Sequence, residues 1–401
     1  MPSTSRENAK WSLRRSHGYG GIRTHGSDCE TTRNPALPVS ARRGFLMLPP
    51  ELFYEILSHF KEIRDEHILG YTNYINDSIP EDLLARFNVL RALSQLSRWS
   101  RAIFLPLLWE RFQVCLAPDS GWRWEWENYF GNRLTRMSKG LIESEYLWPY
   151  VKIVSVSVCW PGQSKNTESL SLFAELLETL PKVHTLEVLR IGSMNPGPLE
   201  LCFKGKSLPS IQRIVLPTRA HEILKCCSKV REVTCNEGDG RQLIDALLYA
   251  GCNGLESLRG VMVEPALTKR LAKAKPPLKY IQINNKVENT NLTEGAISAL
   301  SAFRFLRIIE IECFEGKDID QVINAARKTL HQCVGRIQES KMWDLRRTMV
   351  NTRPTGLRSI QPGPGLVRVL RYEPRSNLVH TRNPLDLYFT PVRIEVFTAG
   401  C

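Results

Sequence analysis

The chain has 401 residues, of which 42% are hydrophobic and 24% are charged, and this composition is typical of a soluble globular protein with about two domains. Its net charge of +13 would suit a nucleic-acid binder, but residues 1–45 contribute +5 and residues 335–401 contribute +6. Because the excess lies at the two ends, composition argues against a basic nucleic-acid-binding face. No apolar run approaches the roughly 20 residues of a membrane span, so no membrane partner is expected.

Residues 1–45 mix Ser, Arg, Gly, Thr and Pro without an apolar period and predict a disordered basic arm. The stretch LPPELFYEIL at 48–57 then predicts a short amphipathic helix. Pro49 and Pro50 preset φ and lack backbone donors, so a helix begins there at little cost. Its apolar residues share one face at i, i+1, i+4, i+5 spacing, namely Leu52, Phe53, Ile56 and Leu57.

A second helix is predicted over 90–104, with apolar residues at 90, 93, 96 and 103, and LPLLWERFQV follows at 105–114. Together with 48–57, this segment resembles the fungal-type F-box, which docks substrate receptors onto a Skp-family adaptor of cullin–RING ubiquitin ligases. Two features depart from that family. Ser97 stands where Cys is common, and 61–88 is an insertion with a predicted helix of its own. An unrelated three-helix domain over 46–115 is the alternative.

The resemblance implies that this helical domain binds the adaptor through apolar side chains, and reaches the cullin scaffold through the adaptor. The implied adaptor-binding residues are Leu48, Pro49, Leu52, Ile56, Leu57, Leu93, Leu96 and Trp109. Residues 116–150 follow as a predicted packing bridge. Its tryptophans at 122, 124 and 126 alternate with one Arg and one Glu, without the run of basic groups that a base-stacking platform needs. A helix is predicted from apolar residues at 134, 137, 141 and 147, ending before Pro149.

From residue 151 the pattern apolar-x-x-apolar-x-apolar recurs and predicts a series of short strands. The copies are Val151/Val154/Val156, Val183/Leu186/Val188, Ile211/Ile214/Leu216, Val230/Val233/Cys235, Leu278/Ile281/Ile283 and Leu306/Ile309/Ile311, with a weaker copy, Leu255/Leu258, in which Gly260 takes the last place. Helices are predicted between the strands at 169–180, 220–226, 241–250, 266–274 and 293–303.

Each strand–helix unit is too small to bury its own apolar face, so stacked neighbours must share one core. The pattern over 151–334 resembles a degenerate leucine-rich-repeat solenoid, with parallel strands on the concave side and helices on the convex side. The Asn or Cys ladder of that family is missing except at Cys159. The predicted fold class is α/β with a small all-α N-terminal domain, that is, F-box-like helices followed by a strand–helix solenoid. An ordinary α/β sheet with crossover helices is the alternative.

Because strand side chains alternate, the residues beside the inward apolar positions are predicted to lie on the concave face and to bind a target protein. They are Glu187, Arg213, Glu232, Arg259, Tyr280, Gln282, Asn284 and Glu310, with Thr234 and Glu312 on the same face. Both charge signs and one aromatic residue suit a protein or peptide better than a polyanion. A solvated face without a partner is the alternative.

Residues 335–401 are rich in Arg and Pro and predict a disordered tail. We find no P-loop, no G-x-S-x-G nucleophile motif and no metal-ligand spacing, so no catalytic residue, metal or cofactor is expected. The eleven cysteines contain no C-x-x-C and indicate free thiols in a reducing compartment, cytoplasmic or nuclear. The predicted function is a non-catalytic substrate-recognition subunit of an SCF-type ubiquitin ligase. The alternatives are a leucine-rich-repeat scaffold outside any ligase and a nucleic-acid-associated protein acting through basic ends.

Overall fold

The computed structural model describes residues 49–60, 81–115, 126–159, 167–192, 197–284, 294–314, 321, 323–333, 366–374 and 389–397. The chain divides into Met1–Pro50 and Glu51–Cys401, and nearly all of the described residues belong to the second unit. Leu48, the Trp122 and Trp124 pair, and the arm at 1–45 lie outside the described residues.

Among the described residues, three helices precede the sheet: α1 (Pro50–Ser58), α2 (Glu81–Leu96) and α3 (Arg98–Trp109). Phe53 of α1 is 1% exposed, and its ring meets the ring of Phe104 edge-on with centroids 5.2 Å apart. Ser97 is the N-cap of α3, where its hydroxyl accepts from the Ser100 N–H at 3.0 Å and the Ser100 hydroxyl accepts in return from the Ser97 N–H. The residue that departs from the F-box pattern therefore forms a reciprocal cap, which stabilises the α2–α3 junction.

One ten-stranded sheet follows, in which sequential strands are neighbours. All adjacent pairs from β1 to β9 are parallel, and β10 pairs antiparallel with β9. The strands are β1 (Arg111–Val114), β2 (Ile153–Val158), β3 (Thr185–Ile191), β4 (Arg213–Pro217), β5 (Glu232–Glu237), β6 (Ser257–Val261), β7 (Tyr280–Asn284), β8 (Ile308–Phe314), β9 (Leu366–Pro374) and β10 (Phe389–Phe397).

Helices connect successive parallel strands, so the predicted strand–helix alternation is confirmed. They are α4 (Trp126–Ile142), α5 (Glu168–Thr179), α6 (Gly197–Phe203), α7 (His221–Leu224), α8 (Arg241–Ala250), α9 (Pro265–Lys273), α10 (Glu294–Ala299) and α11 (323–333), with 3-10 turns at Glu145–Tyr150, Thr218–Ala220 and Leu300–Ala302.

The middle apolar position of each predicted repeat forms a continuous buried row across the sheet. The row runs through register partners Val154, Leu186, Ile214, Val233, Leu258, Ile281 and Ile309, none more than 2% exposed. These side chains belong to one apolar cluster with the helices, including Phe173 of α5 and Leu243 of α8. The units therefore share a single core, as expected of a solenoid whose repeats cannot fold alone.

A repeated backbone contact joins the entries of neighbouring strands. The carbonyl just ahead of each strand accepts two consecutive N–H groups at the entry of the next strand, at 2.7–3.3 Å. Glu110, for example, accepts from Lys152 and Ile153, and Lys152 in turn accepts from His184 and Thr185. The accepting carbonyls are those of Glu110, Lys152, His184, Gln212, Arg231, Glu256 and Lys279.

Three strands, β1, β9 and β10, lie where the sequence did not predict them. β1 begins the sheet 40 residues ahead of the first repeat, because Phe112 and Val114 alternate with polar neighbours and are 1% and 0% exposed. The sheet thus starts within 46–115, the range assigned to the F-box-like domain. In the segment expected to be a disordered tail, β9 pairs in parallel with β8 and satisfies its otherwise open backbone edge.

Gly260 explains why one repeat is weak. Its φ is +69°, and a Cβ at this position would lie 2.1 Å from the carbonyl oxygen of Cys235 on the neighbouring strand. The ladder between β6 and β7 also shifts register between Leu258 and Val261. A β-branched or longer apolar residue at this repeat position is therefore excluded by backbone proximity as well as by backbone conformation.

We expect Gly260→Ala to lower the free energy of unfolding by more than about 2 kcal/mol, because a methyl group would add a backbone clash to the left-handed strain. Gly251→Ala is the matched control: its φ is +64°, but nothing lies within 4 Å of an added Cβ. The control should cost only about 1–2 kcal/mol. Urea unfolding followed by circular dichroism measures both, and equal losses would contradict the clash.

Candidate functional site

Two surfaces carry the residues that the sequence singles out. The first lies on helices α1–α3, where large apolar side chains remain exposed. Among the described residues, nine large apolar side chains are exposed, and five of them fall between 52 and 99. They are Leu52, Tyr54, Phe87, Leu96 and Trp99. We call this set the apolar helix surface, and such a concentration is typical of a protein-interaction site.

The predicted adaptor-binding residues divide between this surface and the core beneath it. Leu52 and Leu96 are 47% and 56% exposed, and Pro49 is also exposed. Ile56 and Trp109 are half-buried, and Trp109 packs against the core of the sheet. Leu57 and Leu93, at 2% and 8% exposure, face inward. Leu57 was implied as an adaptor contact, but it is not at the surface, because it shares the inner face of α1 with Phe53.

Phe87 and Trp99 belong to the apolar helix surface but were missed as contact residues. Phe87 lay at the end of the presumed insertion, which the structure joins to α2. Trp99 was given no role from the sequence. Its ring lies 5.8 Å from that of Phe53, so one side touches the core while 44% of the residue stays exposed. The sequence feature that could have indicated Trp99 as a contact residue is its position as the second residue of α3, directly after the capping Ser97.

The second surface is the sheet face opposite the buried apolar row, which we call the polar face. Strand register puts Arg213, Glu232 and Tyr280 in one row of this face. Glu187 and Arg259 stand in the next row, and Gln282 pairs with Glu310 in register. Asn284 neighbours Glu312 one step further along β7. The strands thus bring together the residues that alternation predicts to share a face; target binding by them stays a prediction.

Contacts on the polar face are local and mostly charge-paired. The Arg213 Nε lies 3.9 Å from a Glu232 carboxylate oxygen, with both side chains partly exposed. The guanidinium of Arg259 stands over the ring of Tyr280, with its Cζ 4.7 Å from the centroid. Gln282 donates through Nε2 to Glu310 Oε1 at 2.9 Å. These contacts already hold the side chains in fixed orientations, so binding a partner would cost less side-chain conformational entropy.

Glu187 shares the polar face but is only 1% exposed, so it does not present its carboxylate to solvent. Its Oε2 accepts from Arg111 Nη1 at 2.7 Å and from the Ser155 hydroxyl at 2.6 Å. These contacts tie β1, β2 and β3 together across 76 residues of sequence. Glu187 can be buried because Arg111 supplies the opposite charge, and Arg111 and Ser155 supply the hydrogen-bond donors, that a buried carboxylate requires.

We expect Arg111→Met to lower the free energy of unfolding by about 3 kcal/mol, because it leaves the Glu187 charge buried without its counter-ion. Adding Glu187→Gln should restore most of that loss, since an amide needs no counter-charge. Urea titration of the single and double variants gives the coupling energy. Purely additive losses would contradict the assignment of a buried ion pair.

The cysteines of the described residues are free thiols and are mostly buried. Burial raises the pKa of Cys115 to about 12 and the pKa values of Cys226 and Cys252 to about 11. It also raises the pKa values of Cys227 and Cys235. A thiol that stays protonated is a poor nucleophile. Within the described ranges, no group of three or more His, Cys, Asp or Glu side chains is placed to hold a metal ion.

We expect these five thiols to resist alkylation by iodoacetamide at pH 8 in the folded protein and to react fully in urea. A raised folded-state pKa also means that their contribution to stability is present below the unfolded value near 8.5 and is lost as pH rises above it. Peptide mass spectrometry after labelling reads each site separately. The partly exposed Cys202 is the internal control, and equal labelling of all sites in the folded state would refute the burial argument.

Comparison with known proteins adds no assignment. No protein-family model matches the chain, and no curated protein matches its sequence. Within the ranges that the structure describes, no helix combines the length and the apolar character needed to cross a membrane. The functional argument therefore depends on the two surfaces alone.

Proposed function

We propose that this protein is the substrate-recognition subunit of an SCF-type, cullin–RING ubiquitin ligase. The segment 46–115 acts as the F-box and binds a Skp-family adaptor, which links the chain to the cullin scaffold. The strand–helix solenoid holds a target protein on its polar face. Partner subunits carry out the transfer chemistry, and this chain contributes proximity and orientation.

The observation that carries the proposal is the apolar helix surface. Leu52 and Leu96 come from the two segments that resemble an F-box, and both expose about half of their surface. Exposing them costs free energy in water, since burial of a leucine side chain is worth roughly 1.5–3 kcal/mol. A partner with a complementary apolar groove would recover that free energy.

The sheet supports the second half of the proposal. Its polar face carries side chains of both charges together with a stacked Arg–Tyr pair, and arginine and tyrosine are enriched at protein-binding hot spots. Consecutive parallel strands give this face an extended shape. Extended faces of stacked repeats are the surfaces that solenoid proteins use for binding.

A second candidate is a leucine-rich-repeat scaffold that never enters a ligase. The packing of Leu105 and Trp109 of α3 against the core of the sheet favours it, because an N-terminal cap would make the same contacts. In that case α1–α3 serve to close the first edge of the solenoid. Binding of the adaptor separates the two functions.

We expect the full chain to co-purify with a recombinant Skp-family adaptor, and Leu52→Ala combined with Leu96→Ala to weaken that binding about 30- to 150-fold. This range corresponds to about 2–3 kcal/mol for two half-exposed leucines that become buried on binding. Isothermal titration calorimetry provides the measurement.

Leu201→Ala is the matched control, because Leu201 is 73% exposed on α6, away from α1–α3. It should change adaptor affinity less than twofold. Failure of the wild-type chain to bind any Skp-family adaptor would rule out the ligase function and leave the scaffold.

A further inference from the structure

Arg259 of β6 carries a charge that the described part of the chain does not neutralise. Its Nε donates weakly to the Ser257 hydroxyl at 3.4 Å, and its guanidinium stands over the Tyr280 ring. Neither contact supplies an opposite charge, and no carboxylate of the described residues lies within ion-pair distance of it. Neither contact uses the two Nη groups in a hydrogen bond, so they remain donors for an acceptor from outside.

Arg190 of β3 is a second such cation, and a bulge in its strand places it. β2 and β3 stay in register up to Val156 and Val188, and then Ser157 pairs with Arg190 instead of Leu189. The extra residue places Arg190 on the polar face, whereas strict alternation along β3 would have placed it on the opposite face. Asn236 holds the bulge, because its Nδ2 donates to the carbonyls of Val188 and Leu189 at 3.3 and 2.9 Å.

Arg190 is half-buried, and burial lowers the pKa of its guanidinium while the Glu237 carboxylate acts in the opposite sense. The two side chains do not come within the 4.0 Å of an ion pair in the described residues. The Glu237 carboxylate therefore compensates the desolvation of Arg190 only in part, and an anion bound at the guanidinium would complete it.

Among the side chains that the structure describes, the other charged groups of the polar face have close polar or charged partners. Glu187 is paired with Arg111, and Arg213 lies beside Glu232. Glu310 is 6% exposed and accepts from Gln282. Among the described side chains, the two arginines on β3 and β6 are thus the positive positions without a carboxylate at ion-pair distance.

We propose that the target segment held by the polar face is an extended peptide with two anionic side chains, one for Arg190 and one for Arg259. This inference rests on the proposed function and names the chemistry of its target. Neighbouring strands lie about 4.8 Å apart, so β3 and β6 are about 14 Å apart across the sheet. Arg190 also lies one two-residue step, about 7 Å, further along the strands than the row that contains Glu187 and Arg259, so the two positions are about 16 Å apart. An extended chain rises about 3.3 Å per residue, which sets the two anionic residues four or five positions apart. Carboxylate and phosphoryl groups share this chemistry.

The test uses the full-length chain and fluorescein-labelled ten-residue peptides of Ser, Gly and Ala. Each peptide carries two glutamates, separated by one to seven positions, and a second series replaces both glutamates with phosphoserine. Fluorescence anisotropy at low and physiological salt gives the affinities. Tighter binding of the phosphoserine series assigns a phosphorylated target, and equal or tighter binding of the glutamate series assigns an acidic one; either result supports the proposal.

Binding should be tightest at a separation of four or five. Arg190→Gln and Arg259→Gln should each weaken it five- to tenfold, to the affinity of a peptide with a single anionic residue. Arg304→Gln is the matched control, because Arg304 is an exposed arginine in the turn ahead of β8 and off the polar face; it should change affinity less than twofold. Thermal melts of each variant show whether it remains folded.

Three outcomes would overturn the proposal: no peptide of either series binds, affinity does not depend on separation, or Arg304→Gln weakens binding as much as the other two. Competition by oligo-dT that depends on the same two arginines would instead identify a nucleic-acid site. Adaptor binding is measured separately on the Arg190→Gln/Arg259→Gln variant. Loss of peptide binding with adaptor binding retained distinguishes this inference from the proposed function itself.

Discussion

The fold depends on the backbone carbonyl that accepts two N–H groups at the entry of each following strand. A carbonyl oxygen has two lone pairs, so one group can satisfy two consecutive donors. The units between these carbonyls differ greatly in length, from 19 residues between Gln212 and Arg231 to 42 between Glu110 and Lys152. Because each strand from β2 to β8 begins at the same contact, the variation is absorbed by the helices and turns, and the apolar row stays continuous. Irregular repeats therefore build a regular sheet.

Much of this architecture was readable from the sequence, because the spacing of apolar residues on a strand is a local signal. The helix over Arg241–Ala250 was predicted to the residue, and each full copy of the repeat lies in a strand or at its entry. β1 was missed because a four-residue strand contains only two inward positions, Phe112 and Val114, and they directly follow a helix. β9 was missed because a strand is stabilised by its neighbour as much as by its own residues, and its partner β8 is over 50 residues earlier.

The candidate sites were less predictable, because they also depend on contacts between residues far apart in the sequence. Alternation assigns a face, but it does not reveal whether a side chain on that face is exposed. Glu187 lies on the polar face and is nevertheless buried, because Arg111 of a strand that the repeat pattern did not contain reaches it. Arg190 was absent from the predicted set, since only the bulge held by Asn236 brings it to the polar face. Leu57 was included among the adaptor contacts because the F-box resemblance implies it, and helix periodicity does not reveal which residues of the apolar face the neighbouring helices cover. Tertiary contacts decided all three cases.

Asn236 also bears on the kind of solenoid this is. An amide that donates to carbonyls of another strand is the physical role of an asparagine ladder, yet here it occurs as a single contact from β5 to β3. It passes β4 where the β4–β5 ladder shifts register between Leu216 and Pro217, because proline has no N–H with which to continue the ladder. The asparagine thus satisfies two carbonyls that β4 leaves open, and the same contact shapes the polar face by turning Arg190. The Asn236 amide thus stabilises both the bulge in β3 and the position of Arg190 on the polar face.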